Sequence, residues 1–174
     1  IFMPGNSFDP ARPDATGNYY LRGRDNEKEG YLEFIDGPMA FAQSCGVRTH
    51  GNRSRRFAQK GLSLYARKEY GEKRFGPVFG DDDFEVKRLV LKPFACAWTP
   101  MGFQDCFCQQ LAGQFNTFGS LESRPVVLFL NGEYWGIYFL EEKPDERYLE
   151  DHFGVDRNSV SLVKDWAGHN GDGD

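Results

Sequence analysis

Hydrophobic and polar residues alternate along two stretches separated by a polar, cationic turn. In the first, Val47 and Thr49 alternate with Arg48 and His50. In the second, residues 59–67, Leu62, Leu64 and Ala66 fall on one side and Ser63 and Tyr65 on the other. A period of two predicts a β-hairpin over residues 46–67. Residues 30–37 predict a short strand closed by Asp36-Gly37-Pro38. Residues 84–92 predict a long one stopped by Pro93, whose ring nitrogen cannot donate to a ladder. Residues 1–30, rich in Pro, Gly, Asp and Asn, read as a leader with a short extended piece at 18–21. Residues 68–83 read as an exposed loop of Gly, Pro and charge.

The period lengthens after residue 98. Thr99 is a hydroxyl cap and Pro100 suits a first turn, so a helix is predicted to about Gln114. Phe103, Cys106, Phe107 and Leu111 form its apolar face. Asp105 lies between Met101 and Cys108 at helical spacing, a carboxylate among apolar side chains that calls for a cation. Residues 126–130 and 133–140, joined by Asn131-Gly132, predict a hairpin with a type I′ turn. Residues 141–144 leave that strand, and 145–153 form a short helix ended by Gly154. Residues 160–163 read as one more strand and 168–174 as a loop.

Composition narrows the picture. The 174 residues fit one domain, and 40% hydrophobic with 16% aromatic content argues for an ordered globular chain. A net charge of −5 argues against a general nucleic-acid binder. No apolar run is long enough to span a membrane. No secretory leader is visible, and a chain that starts without Met and ends on Gly-Asp-Gly-Asp reads as a piece of a longer protein. Cys45, Cys96, Cys106 and Cys108 include no CxxC pair, which argues against zinc and for buried free thiols. Asp81-Asp82-Asp83 reads as a solvated loop, Trp135 as hairpin core and His50 as structural. Against the acidic background, seven of the 21 Lys and Arg residues fall between Arg48 and Lys68. A glycine-bearing hairpin lined with cations and N–H groups suits phosphate oxygens. A solvated basic surface is the plainer alternative.

The element order is hairpin, strand, helix, hairpin, linker, helix. The fold class expected is α+β, an antiparallel five-stranded sheet with one packed helix. That is the plan of a protein-kinase N-lobe, where a lysine on the third strand meets an acid on the following helix. Lys92 and Asp105 stand at those places. The motifs Gly46-Val47-Arg48-Thr49-His50-Gly51-Asn52-Arg53-Ser54-Arg55-Arg56 and Gln59-Lys60 resemble the signature of the CotH kinase family. So do Lys87-Arg88-Leu89-Val90-Leu91-Lys92, Phe103-Gln104-Asp105, Leu130-Asn131-Gly132-Glu133-Tyr134-Trp135-Gly136-Ile137-Tyr138 and Glu142-Lys143-Pro144-Asp145-Glu146-Arg147-Tyr148-Leu149.

The resemblance implies an atypical kinase, dependent on ATP and Mg²⁺, that phosphorylates serine of a coat or surface protein. It implies a leader at 1–30, a kinase-like N-lobe at 31–143, and at 144–174 the helix after the hinge with the start of the C-lobe. By the same resemblance Arg48, Ser54, Arg55 and Lys60 cover the nucleotide phosphates. Lys92 contacts them, Asp105 orients that cation, and Glu141 and Glu142 border the adenine. Whether Lys60 or Lys92 touches ATP is left open. The metal-holding acids are expected downstream of this chain, and residues 93–98 depart from the family's usual connection. A spore-coat or cell-surface location is the family's, and some relatives suggest the second reading, a non-catalytic adhesion or scaffold module of the same fold.

Overall fold

A computed structural model describes residues 19–80, 86–94, 102–115, 119–164 and 167–169. The elements are β1 (Lys28–Asp36), β2 (Met39–His50), β3 (Gly61–Tyr65), β4 (Arg88–Lys92), α1 (Gln104–Gln114), β5 (Ser123–Leu130), β6 (Glu133–Glu142), α2 (Glu146–Phe153), β7 (Leu162–Lys164) and β8 (Ala167–His169). The class is α+β. Six strands form one antiparallel sheet in the order β1-β2-β3-β4-β6-β5, and β7 and β8 pair separately.

The expected count of five strands is therefore one short. The added strand is β1, which does not stand apart but pairs with β2 from Lys28↔Val47 to Asp36↔Met39. Gly37 makes the reversal possible, with a φ of 59° that disfavours any side chain. The Asn131-Gly132 turn behaves as its sequence demands, with φ of 52° and 82° at the two corners, as a type I′ turn requires. α2 starts on Asp145, whose carboxylate accepts from the N–H groups of Arg147 and Tyr148, and ends on left-handed Gly154.

One face of the sheet is the core. Leu62 and Leu64, Leu89 and Leu91, and Tyr138 and Leu140 project there from neighbouring strands beside Phe34 and Cys45. Trp135 packs against this cluster, as hairpin core. Residues 66–80 also cover it. Phe75 and Val78 are 0% and 1% exposed, so the stretch expected to be an exposed loop is in part a lid on the core. Phe75 is fixed by its own N–H, which donates to the Val86 carbonyl at 2.8 Å. Residues 81–83 lie outside the described residues, as do the expected leader up to residue 18, the Thr99-Pro100 cap, residues 95–98 and the tail from 170.

α1 departs from its pattern. Phe103, Phe107 and Leu111 are 51%, 54% and 43% exposed, and Cys106 is its buried residue. The helix lies against the polar side of the sheet, and its link there is Asp105 with Lys92. Asp105 is half exposed, not enclosed by apolar groups. Cys45 and Cys106 are buried free thiols as expected, whereas Cys108 is exposed. Glu141 and Glu142 do not leave the sheet but complete β6, because pairing to β4 continues through Val90↔Glu141 and Leu89↔Glu142. Gly168 and His169 belong to β8, not to a loop.

Candidate functional site

The sheet's second face carries the chemistry. Register places Arg48 opposite Ser63, Ser63 opposite Val90, Val90 opposite Glu141, and Glu141 opposite Ser123. These five residues form one row across β2, β3, β4, β6 and β5. Lys92 lies two residues beyond Val90 and so projects from the same face.

Lys92 is the centre of a charged triad. Its Nζ contacts Asp105 Oδ2 and lies 3.6 Å from Glu141 Oε2. Glu141 is 4% exposed and accepts from Ser123 Oγ at 3.4 Å. Burial pushes the Glu141 carboxyl above its usual range, and Lys92 and Ser123 oppose that shift. One ammonium thus faces two carboxylates, one buried and one exposed. The buried acid fixes where the ammonium sits, while the half-exposed Lys92 and Asp105 stay accessible from solvent. An ammonium held this way is suited to meet a further anion such as a phosphate oxygen.

Arg48 stands on the same face but serves a different cluster. It is 3% exposed, with its guanidinium 4.1 Å from the centre of the Tyr65 ring and Nε 3.5 Å from Glu27 Oε2. Arg67 donates to both Glu27 oxygens at 2.8 and 3.0 Å. Lys143 donates to the Tyr65 hydroxyl at 3.2 Å. Glu27 and Tyr65 escape a reading of the sequence. Glu27 lies in the stretch read as a leader, forty residues from Arg67, and no local pattern joins the two.

The basic turn is a single 3₁₀ turn, Arg53–Arg56, and Arg55 and Lys60 are turned into the loop. Arg55, 2% exposed, donates to the Gly51 carbonyl and to those of Tyr19 and Leu21 at 3.2 and 2.8 Å. Lys60, 8% exposed, donates to the Arg55 carbonyl at 2.7 Å and to that of Phe57, and burial lowers its pKa. Ser54 sits against Gly51, where a Cβ would come within 2.0 Å of its Oγ. Gln59 and Tyr138 tie the loop to β6, through Gln59 to the Ile137 carbonyl at 3.0 Å and Tyr138 to the Lys60 carbonyl at 2.9 Å. His50 is structural, its Nδ1 2.9 Å from Ser63 Oγ.

Glu142 faces the other way. Its carboxylate meets His152 Nε2 at 2.8 Å and accepts from the Glu122 N–H at 3.3 Å. Of the eight residues expected at the site, the structure therefore joins Lys92, Asp105 and Glu141. It sets Arg48 beside Tyr65, keeps Ser54, Arg55 and Lys60 in the turn, and separates Glu142. No cluster of acids, histidines and cysteines suited to a metal ion occurs among the described residues.

Glu142 gives a pH test. Burial raises its carboxyl above the ordinary 4.5, with His152 opposing. A raised pKa means that the folded state holds the proton where the unfolded chain has lost it. This contribution to stability is therefore full below about 4.5 and is lost as pH rises through the folded value. Glu142→Gln removes the titration. The midpoint difference, variant minus parent, should move in the variant's favour as pH is raised from 4.5 to 7, measured by thermal unfolding. A difference that stays flat with pH would mean that Glu142 is not desolvated.

A family model described as CotH kinase protein matches residues 47–171. No curated protein matches the chain.

Proposed function

The chain belongs to the CotH kinase protein family, and from that premise we propose that it is the nucleotide-binding part of an atypical protein kinase acting on serine. The observation that carries this reading is the contact of Lys92, at the end of β4, with Asp105 on α1, backed by buried Glu141. The strand order β2-β3-β4-β6-β5, with a helix between β4 and β5 in sequence, supports this reading, and β1 adds a sixth strand at the edge. On this reading residues 31–143 are the N-lobe and 144–174 lead into the C-lobe.

Each residue then has a role. Lys92 holds phosphate oxygens, Asp105 orients the ammonium, and Glu141 keeps it on the sheet. Arg55 and Lys60 shape the turn above the phosphates through the carbonyls they hold, so that the backbone of the turn rather than these cations faces the ligand. The backbone of residues 141–144 borders the base, while the Glu142 side chain is turned away to His152. ATP supplies the phosphoryl group when bound, with Mg²⁺ held by acids other than the residues described here. The protein acted on would be a coat or surface protein.

Thermal unfolding of the parent protein with and without Mg·ATP tests the proposal. A ligand that binds the native state at a hundredfold excess over its Kd stabilises it by about 2.7 kcal/mol. The expected result is a saturable rise in the midpoint. No rise at millimolar nucleotide would sink the kinase reading and favour a non-catalytic coat or surface module.

A further inference from the structure

Beyond the C-terminal end of β3 the surface opens into a cleft of about 440 Å³. We infer that this cleft binds a compact, phosphate-bearing polyanion at a site separate from the Lys92 triad. Arg67 and Lys68 follow β3, Lys87 and Arg88 begin β4, Arg24 comes from the turn before β1, and Arg147 from α2. With Lys73 and Arg157, eight cationic side chains line the cleft against one carboxylate, Glu69, in a chain whose net charge is −5.

The ion pairs do not neutralise this wall. Arg24 meets Glu69 at 2.8 Å, Arg67 meets Glu27 at 2.8 Å, Arg88 meets Asp145 at 2.6 Å, and Arg157 meets Glu150 at 3.7 Å. Lys68 and Lys73 are exposed and meet no carboxylate among the described residues. Like charges drawn into one concavity repel, and an anion placed among them relieves that cost.

Shape and composition select the ligand. Five of the eight cations are arginines, whose planar forks match phosphate oxygens in pairs. The volume lies in the range of small-molecule sites, roughly 300–1,000 Å³. The walls converge from six separate stretches, whereas a nucleic acid or acidic polymer would track an extended stripe. Tyr65 closes the floor but is 1% exposed, so its face is not offered to a base and recognition falls on phosphate. Arg88 and Lys92 lie at opposite ends of β4, about 13 Å apart along the strand.

The test uses inorganic tripolyphosphate as the probe, followed by calorimetric titration and thermal unfolding of the parent protein. Sodium chloride at matched ionic strength and a hexaglutamate peptide are the controls. Saturable binding is expected in the parent and in Lys92→Ala. The exposed pair Lys68→Glu/Lys73→Glu should fold normally and bind at least about tenfold more weakly. Protection matched by sodium chloride or by hexaglutamate would overturn the proposal. So would unchanged affinity in the double variant, or loss of binding in Lys92→Ala, which would place the probe on the triad. Tripolyphosphate binding without any Mg·ATP effect would remove the kinase reading alone and leave this site standing.

Discussion

Glu27→Ala is expected to destabilise the fold by about 3–5 kcal/mol, the range for removing one partner of a buried ion pair. The Glu27 side chain is 2% exposed and holds Arg67 by two hydrogen bonds at 2.8 and 3.0 Å. Arg48, itself 3% exposed, lies 3.5 Å away. Without the carboxylate, two guanidinium groups share a site with Tyr65 and no compensating charge at the position Glu27 held. The cluster also joins three separate stretches, the turn before β1, the end of β2 and the end of β3. Its loss unlocks the edge of the sheet. Gly46 is part of the same arrangement, because a Cβ there would come within 2.2 Å of Glu27 Oε1. Glu27→Gln keeps the shape and loses the charge, so it should fall between parent and alanine. Urea unfolding gives the measurement, with Arg67→Ala as the matched variant. A loss for Glu27→Ala below about 1 kcal/mol, as for a surface ion pair, would show that solvent reaches the two arginines.

What a reader of the sequence recovers depends on how local the cause is. The Asn131-Gly132 hairpin is dictated by its two corner residues, and Asp145 and Gly154 bound α2 by capping alone. Those elements stand where the pattern puts them. The α1 stripe of Phe103, Phe107 and Leu111 shows the limit of the same method, because periodicity says that a face exists and not what it meets. Beside the charged side of the sheet the favoured contact is Asp105 with Lys92. The stretch 68–80 misleads in the opposite sense, since two apolar side chains among many polar ones suffice to cover a core. Charge runs are the hardest to read. Arg55 and Lys60 have the sequence of a phosphate-facing loop, yet they donate to carbonyls of that loop and of the segment before β1. Their partners are backbone atoms, which no sequence motif specifies. The triad was legible in part: Lys92 and Asp105 follow from element order, whereas the approach of Glu141 needs the β4–β6 register. Glu27 and the cationic cleft arise from contacts between distant stretches, and only the fold brings those together.

On the proposed reading two lysines are candidates for the phosphate contact, and their surroundings predict different failures. Lys92→Ala is expected to remove the part of the Mg·ATP thermal shift that tripolyphosphate does not reproduce and to lower phosphoryl transfer by about two to three orders of magnitude, the effect of removing one fixed charge from a transition state. Its effect on stability should be modest, about 1 kcal/mol, because Lys92 and Asp105 are 40% and 51% exposed and buried Glu141, its carboxyl already pushed up, can meet the loss of the ammonium by taking up a proton. Lys60→Ala should do the reverse. Its ammonium holds the carbonyls of Arg55 and Phe57 beneath the Tyr19 ring. Removing it takes a buried donor from both carbonyls and should cost about 1–3 kcal/mol. Affinity for nucleotide would then fall only as far as the turn loosens. Asp105→Asn should sit between the two, keeping stability while weakening transfer, since the ammonium remains but is no longer drawn to its place. If Lys92→Ala keeps the full shift and Lys60→Ala loses it without loss of stability, the assignment is reversed, and the turn must rearrange to free Lys60 when nucleotide binds. A buried lysine with its pKa lowered could do so only by giving up the carbonyls of Arg55 and Phe57, and so the proposal keeps the exposed Lys92 as the phosphate contact.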